Sequence, residues 1–596
     1  MESGAVGTGS RTMADLVPLA AAAYGTGPAL LFKDEGRWKP VSYGRLWEAV
    51  AEVGGGLTEL GLRPGAKAAI LANSRPEWTY AHFGVLTAGA VSVSVHQAAS
   101  AEECRHILEH SETELIFVED GVQLGKILSV RDRLPRLRHI VVFDPPAGAG
   151  GVLSLDEVRR VGRAAGPAEL TARIAAVGPG RPCVIIYTPG TTGTPKGCVL
   201  SHGNYRAAVT MIAASGTVVP GDRVYLFLPL AQAFAAVVQF ASIDLGCSIA
   251  LWEKDPQKII SNLGEVRPTY LPAVPRILEK IYVRATAQAG DPARVREDVE
   301  IGLRARALLD AGTEIPEDLR RSFDRAEETL YRKVRALFGG RIRQCTSGAS
   351  PVAPEMLDFF HACGVPVLEA YGLTETATVA TANAAGGFRL GSVGRPLPGV
   401  EATTSESGEL LLRGPNVFGG YYKDEPSSRR ALQDGWFHTG DLASIDDGGY
   451  VHLTGRRKDV IITSGGRNIA PARAEKALRE SRWISQAVLV GDRRPYLVAL
   501  ITLDPDEAAG YAAANGLSPE TVTTSSGIRE VVRREVDRVN AGAGRAEQIK
   551  RFAILPGGLS VETGELTPNL EVARPVVHTM RRDVIDSLYG IAPPGR

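Results

Sequence analysis

Between residues 40 and 145, short apolar runs (KAAILAN, AVSVSV, ELIFVED, HIVVFD) alternate with stretches whose apolar residues recur at helical spacing (YGRLWEAVAEVGGGLTELG, PEWTYAHFGVLTAG, AEECRHILEH). Strand-length runs alternating with helix-period segments predict βαβ units and a largely parallel sheet. DPPAGAGG (144–151) and AAVGPGR (175–181) hold turn residues and read as loops. A second alternating block follows, with CVIIYT, RVYLFLPL, SIALWE and PVLEAYG as strands and NYRAAVTMIAAS, QKIISNLGEV and APEMLDFFHACG as helices. An Arg/Glu-rich helical insertion occupies about 274–337. After 390 the pattern changes to glycine-punctuated hairpins, SGELLLRGP and GWFHTGDLASIDDGGYVHLTGR. A last unit, from Lys458, mixes strands (DVIITSG, SQAVLVGD, YLVALITL) with helices.

Composition narrows the class. The 596 residues are enough for several domain-sized units, 44% are hydrophobic and 22% charged, and this is ordinary globular chemistry. The formal net charge of zero gives no nucleic-acid footprint. Cys104, Cys183, Cys198, Cys247, Cys345 and Cys363 form no C-x-x-C pair, which argues against a disulfide framework or zinc site and fits a reducing cytoplasm. MESGAVGTGSRTMADLVPLAAAAYG lacks a basic head followed by an apolar run, so no signal peptide is expected. AHFGVLTAGAVSVSV is too short and too punctuated to span a bilayer, so no integral membrane segment is expected either.

The chemistry starts at YTPGTTGTPKG (187–197), directly after the strand CVIIY. Backbone N–H groups and hydroxyls from Thr188, Gly190, Thr191, Thr192 and Gly193, with the Lys196 ammonium, offer donors to a phosphate chain. Pro195 and Gly197 stand where a Walker loop needs its second Gly and its Ser/Thr, so this is not a P-loop, and a surface turn is the plain alternative. Three further segments follow in order: EAYGLTET (369–376), GWFHTGDL (435–442) and TGRRKDVIITSGGRNIAP (454–471).

With the loop, these segments make the chain resemble the adenylate-forming superfamily of acyl-CoA synthetases, luciferases and peptide-synthetase adenylation domains, over roughly residues 25–590. The insertion and the phrases LSHGN, FLPLA and GELTP are most similar to its long-chain acyl-CoA synthetase branch. The resemblance implies an α/β fold. A large N-terminal domain of βαβ subdomains plus a β-rich subdomain (1–457, AMP- and acyl-binding) would precede a small mobile α+β C-terminal lid (458–596), hinged at Lys458. It implies two half-reactions, in which a carboxylate attacks the α-phosphate of ATP to give acyl-adenylate and pyrophosphate, and the CoA thiol then expels AMP.

Carried over by motif, Tyr371 would stack on adenine, with Gly372 beside it and Gly348 and Ala349 bordering the pocket. Thr374 would bond the α-phosphate, Glu375 would hold Mg²⁺, Asp441 would accept both ribose hydroxyls and Arg456 would support ribose or phosphate. Gly465 and Gly466 would line the pantetheine tunnel, where a missing side chain lets the thiol pass. Each has a structural alternative: a capped turn for Asp441, core for Tyr371, a simple turn for the glycine pair.

The chain departs from the resemblance on one half-reaction. Glu571 occupies the position of the family's lysine, which reaches the carboxylate and α-phosphate during adenylation, and no lysine follows Lys550. Loss of such a donor costs about 3 kcal/mol, and an acidic side chain would in addition repel phosphate. With 54 arginines to 13 lysines, a drift from Lys to Arg would be unremarkable; a change to Glu is not that. Arg574, three residues on, is the candidate substitute. Pro189 removes a hydroxyl and an N–H from the loop, and Gln232 stands where the family commonly has His beside the incoming acid.

The expectation is therefore a ligase specialised for thioesterification (acyl-AMP + CoA to acyl-CoA + AMP). Acyl-AMP and CoA would be its ligands, ATP only if adenylation is retained, with a separate adenylating enzyme supplying a small-molecule acyl-adenylate. The pattern is similar to non-adenylating CoA ligases of platensimycin/platencin-type diterpenoid pathways. A complete ATP-dependent long-chain fatty acyl-CoA synthetase and a catalytically dead AMP/CoA-binding module are the alternatives. Ala231, Ala233, Ala235 and Ala236 leave room for a bulky acid.

Overall fold

The computed structural model describes residues 7–590, except 149, 189–194, 349–351, 385–386, 465–466, 519–520, 546 and 568–571. Two compact units emerge. The first comprises Met1–Thr403, Leu411–His438 and Ile445–His452, and the second Thr404–Leu410, Thr439–Ser444 and Leu453–Arg596.

The first alternating block becomes a seven-stranded sheet in the order Leu153–Ser154, His139–Val142, Leu115–Val118, Lys67–Leu71, Val91–Val95, Pro182–Thr188, Lys196–Ser201. Its pairs are parallel except the last, where Pro182–Thr188 and Lys196–Ser201 run antiparallel on either side of the Gly-Thr loop. Helix starts carry local signals: Ser100 and Glu103 form a capping box, as do Ser201 and Asn204. Helix Tyr43–Glu59 crosses helix Leu155–Ala165 at Gly55, Gly56 and Gly162. A Cβ on Gly162 would fall 1.8 Å from the Glu52 carbonyl oxygen, so backbone touches backbone there.

The second block forms a nine-stranded sheet, ordered Arg395–Pro396, Thr381–Ala382, Val367–Tyr371, Gln344–Ser347, Tyr270–Ala273, Arg223–Leu226, Ser248–Leu251, Pro28–Asp34, Arg37–Ser42. Its last two strands are a hairpin that the apolar pattern does not announce. Glu35 and Gly36 turn it, both at positive φ, the two-residue geometry that matches strand twist. The insertion is helical throughout, running Pro275–Ala289, Pro292–Asp310, Glu317–Ala326, a π-turn at Glu327–Tyr331 and Arg332–Leu337. The glycine-punctuated region gives a five-stranded sheet of Glu401–Thr404, Glu409–Arg413, Trp436–Ile445, Leu432–Gln433 and Val451–Arg456.

In the C-terminal unit, strands Ile484–Val490, Leu497–Leu503 and Ile549–Ile554 form a sheet covered on both faces. Alternation assigns the faces: Ala487, Leu489, Ala499 and Ile501 pack with Leu478, Val532 and Val536, while Val488, Val490, Val498 and Leu500 pack with Val577 and Ile585. DVIITSG yields only the short strand Ile461–Ile462, paired with Asn468–Ile469. The six cysteines are buried free thiols. Among the described residues no helix is long and apolar enough to cross a membrane.

Candidate functional site

Within the N-terminal unit, the site grows from strand ends. Thr188 and Lys196 form the last rung of their hairpin, and Pro189, Gly190, Thr191, Thr192 and Gly193 lie outside the described residues. The Lys196 ammonium donates to Ser427 Oγ at 2.6 Å, sits 3.8 Å from Asp424 and lies 5.4 Å over the Tyr421 ring. Strand Val367–Tyr371 ends at the half-buried Tyr371, whose carbonyl accepts from Ala380 N. At Gly372 a Cβ would come within 2.3 Å of the Thr378 carbonyl carbon and oxygen, so the chain can pass there only without a side chain.

Thr374–Thr376 form a short 3₁₀ turn, followed by Ala377 and Thr378, both non-glycine residues at positive φ (49° and 65°). Left-handed backbone at such residues costs about 1–3 kcal/mol each and persists only where neighbours over-determine it. Here Leu373 N donates to Thr376 Oγ1, Thr378 N to the Leu373 carbonyl, and Asn416 Nδ2 to the Thr376 and Val379 carbonyls. The turn presents Glu375, buried, whose Oε1 accepts from the Tyr421 hydroxyl at 2.8 Å. Among the described residues no group of three His, Cys, Asp or Glu is placed to hold a metal. One buried carboxylate fits Mg²⁺ carried in chiefly by phosphates and water.

Gly348 continues from the strand Gln344–Ser347, with Phe234 as its nearest side chain, and Ala349 lies outside the described residues. Gln232, half-buried, precedes helix Ala233–Asp244, and its carbonyl accepts from Ala236 N. Thr378 Oγ1 donates to the Ala233 carbonyl at 3.5 Å, linking the 374–378 turn to that helix. Ala231, Ala233, Ala235 and Ala236 are all buried.

Within the C-terminal unit, Asp441 is buried with its backbone N–H on Thr439 Oγ1, and Arg456 Nε approaches its carboxylate at 3.4 Å. Lys458 sits exposed in the 3₁₀ turn Arg457–Asp459, between two pinned neighbours. Arg457 Nη1 donates to Glu409, and Asp459 lies 3.6 Å from the Arg574 guanidinium. Arg574 also donates to Glu475 at 2.5 Å and to the Leu489 carbonyl at 3.3 Å. The bridge Leu566–Val572 closes a loop whose residues 568–571, Glu571 included, lie outside the described residues, as do Gly465 and Gly466. Next to Leu566 in the chain, Glu565, fully buried, takes two hydrogen bonds from Arg581.

Tyr421, Asp424 and Ser427 went unread in the sequence. GGYYKDEPSS carries aromatic and acidic residues after a glycine pair, but it lies 46 positions from Glu375, and no helical or strand spacing connects the two.

The profile of AMP-binding enzymes matches residues 19–422, and that of the AMP-binding enzyme C-terminal domain matches residues 458–592. The chain is an AMP-binding enzyme. It is 33% identical over 566 residues to a long-chain-fatty-acid–CoA ligase, FadD15, of Mycobacterium bovis, covering 93% of each chain. Over 604 residues it is 30% identical to the long-chain-fatty-acid–CoA ligase ACSBG1 of Rattus norvegicus, covering 95% of this chain and 84% of that one. Solved AMP-binding enzymes share its fold. The anthranilate CoA ligase AuaEII with anthranoyl-AMP superposes at a TM-score of 0.74 with 20% identity, covering 96% of this chain and 98% of that one. The A-PCP didomain of the carboxylic acid reductase of Segniliparus rugosus with AMP gives 0.76 with 21% identity, covering 98% and 84%. The architecture of this AMP-binding enzyme is thus the α/β adenylate-forming fold, with a large N-terminal and a small C-terminal domain.

Proposed function

We propose that this protein is an acyl-CoA ligase specialised for the second half-reaction. It takes a preformed acyl-adenylate, the CoA sulfur attacks the acyl carbon, the bond from that carbon to the phosphate oxygen breaks, and AMP leaves while the thiol proton passes to water. The long-chain fatty-acid CoA ligases among its relatives support the ligase class. Tyr371, Gly372, Gly348 and Ala349 are assigned to adenine, and Thr188, Gly190, Thr191, Thr192, Gly193, Lys196 and Thr374 to phosphate. Glu375 is assigned to Mg²⁺, Asp441 and Arg456 to ribose, Gly465 and Gly466 to the pantetheine arm, and Gln232 to the acyl end. Lys458 is the hinge between residues 1–457 and 458–596.

One observation carries the half-reaction assignment. Position 571 is a glutamate, and the cation three residues on is spent, since the Arg574 guanidinium is tied to Glu475, Asp459 and the Leu489 carbonyl. To act on phosphate, Arg574 would have to abandon Glu475, itself buried, and a carboxylate stripped of its cation in that setting costs about 3–5 kcal/mol. Lys196 has its own internal partners in Ser427 and Asp424. The reading entails a separate adenylating enzyme as source of the acyl-adenylate.

Two assays test it. ATP–pyrophosphate exchange with a panel of aliphatic and polycyclic acids stays at background, while synthetic acyl-adenylate plus CoA releases AMP and acyl-CoA. Brisk exchange by the purified chain would restore a complete two-step synthetase; silence with acyl-adenylate would leave only a binding module.

A further inference from the structure

The segment 416–422 is stitched to two chemical elements at once. On one side Tyr422 N donates to the Gly197 carbonyl, Val199 N to the Gly420 carbonyl, and Cys198 bridges Tyr421, so the segment rides on the strand that begins at Lys196. On the other, Phe418 N donates to the Glu375 carbonyl at 2.8 Å, and Asn416 holds the turn behind it. Tyr421 lies in the middle, with its backbone N–H on Ser428 Oγ at 2.9 Å, its ring against Phe418 and under the Lys196 ammonium, and its hydroxyl on Glu375 Oε1.

We infer that Tyr421 is a positioning residue of the nucleotide site, setting the Glu375 carboxylate with its hydroxyl and the Lys196 ammonium with its ring face. The inference rests on the nucleotide site proposed above. A hydrogen bond from a neutral donor to a buried carboxylate fixes which oxygen lone pairs remain for a ligand, and a cation over the ring face gains when desolvated. Tyr421 thereby couples two groups that the sequence keeps 179 positions apart, the loop lysine at 196 and the carboxylate at 375. It acts through them and touches no reacting atom.

Calorimetric titration of AMP in Mg²⁺ buffer, on the full chain, tests this as a cycle of wild type, Tyr421→Phe, Glu375→Gln and the double variant. The phenylalanine keeps the ring beneath Lys196 and removes only the hydroxyl. Tyr421→Phe is expected to weaken AMP about tenfold in the wild-type background, and by less than about twofold once Glu375 is Gln. Thermal melts accompany each variant, because a merely structural tyrosine would lower the melting temperature and weaken AMP equally in both backgrounds. Equal effects in both backgrounds, or wild-type affinity in Tyr421→Phe, overturn the inference and leave the nucleotide site standing. Wild-type chain that binds no AMP overturns the nucleotide site, and this inference with it.

Discussion

The two units treat their cations alike and bury their histidines to different depths. In the N-terminal unit Lys196 is held by Ser427, Asp424 and the face of Tyr421, and in the C-terminal unit Arg574 is held by Glu475, Asp459 and a main-chain carbonyl. Each is a motif-borne cation that also serves as an internal brace. The N-terminal unit also encloses two histidines in apolar surroundings. His82 is bonded to Ser92 Oγ, and His202 accepts from Met13 N at Nδ1. The lesson is that a cation read from sequence as catalytic is described chemically only when its internal partners are known.

The largest way to break this comparison lies in the C-terminal braces. Arg581→Met leaves Glu565 fully buried without its cation and is expected to lower stability by about 3–5 kcal/mol in urea unfolding. Arg574→Met should follow in the same direction but lose less, because Glu475 is less completely buried than Glu565 and Leu489 N still donates to it. If Arg574→Met unfolds like the wild type, its guanidinium is not a brace, and rescue of adenylation by that residue returns.

Acid comes next. Burial lowers His82 to about 3, with His202 adding to the shift, and burial lowers His202 to about 4 against the pull of Asp15. A base whose folded value lies below its unfolded value of 6.5 contributes stability that is complete above 6.5 and erodes as pH falls toward the folded value. At pH 5 each histidine therefore costs the N-terminal unit about 2 kcal/mol, about 4 together. In the C-terminal unit, His578 is shifted the same way by burial and then Arg574. Burial raises Glu565, and Arg581 and Thr563 more than reverse it. That carboxylate contributes stability above its unfolded value of 4.5, lost only as pH falls below it. Urea titrations of wild type and His82→Gln between pH 7.5 and 4.5 check this, the variant being expected to flatten the slope.

Glu571→Lys should raise ATP–pyrophosphate exchange by no more than a few hundred-fold, about 3 kcal/mol, with Pro189 and Gln232 holding it back. No rise even in the triple variant Pro189→Ser, Gln232→His, Glu571→Lys would move the defect elsewhere. The smallest effect belongs to an exposed pair. Arg413→Gln, which loses its ion pair with Glu401 and its stacking over the Trp436 ring, should leave the urea unfolding midpoint almost unchanged.

Much of the fold was legible. Strand runs such as KAAIL and LIFV and the parallel order they imply survive in the structure, because a strand buried on both faces must be apolar along its length. The hairpin Pro28–Asp34/Arg37–Ser42 was missed because its second strand, RWKPVS, is largely exposed and alternates weakly. DVIITSG was read too long, since its apolar residues supply just one short pairing with Asn468–Ile469. Of the candidate residues, Tyr371, Glu375, Asp441 and Arg456 stand in ordered motifs, whereas Tyr421, Asp424 and Ser427 carry no spacing that ties them to Lys196 or Glu375.

By itself the sequence determined the family, the order of its motifs and the reversal of charge at 571, because each is a matter of residue identity along one chain. Only the tertiary structure decided where the cations spend their charge. Whether Arg574 meets Glu475, or Lys196 meets Ser427 and Asp424, depends on segments about 100 and 230 residues apart being folded together. An ion pair is set by distance and burial in space, and neither is written in local sequence.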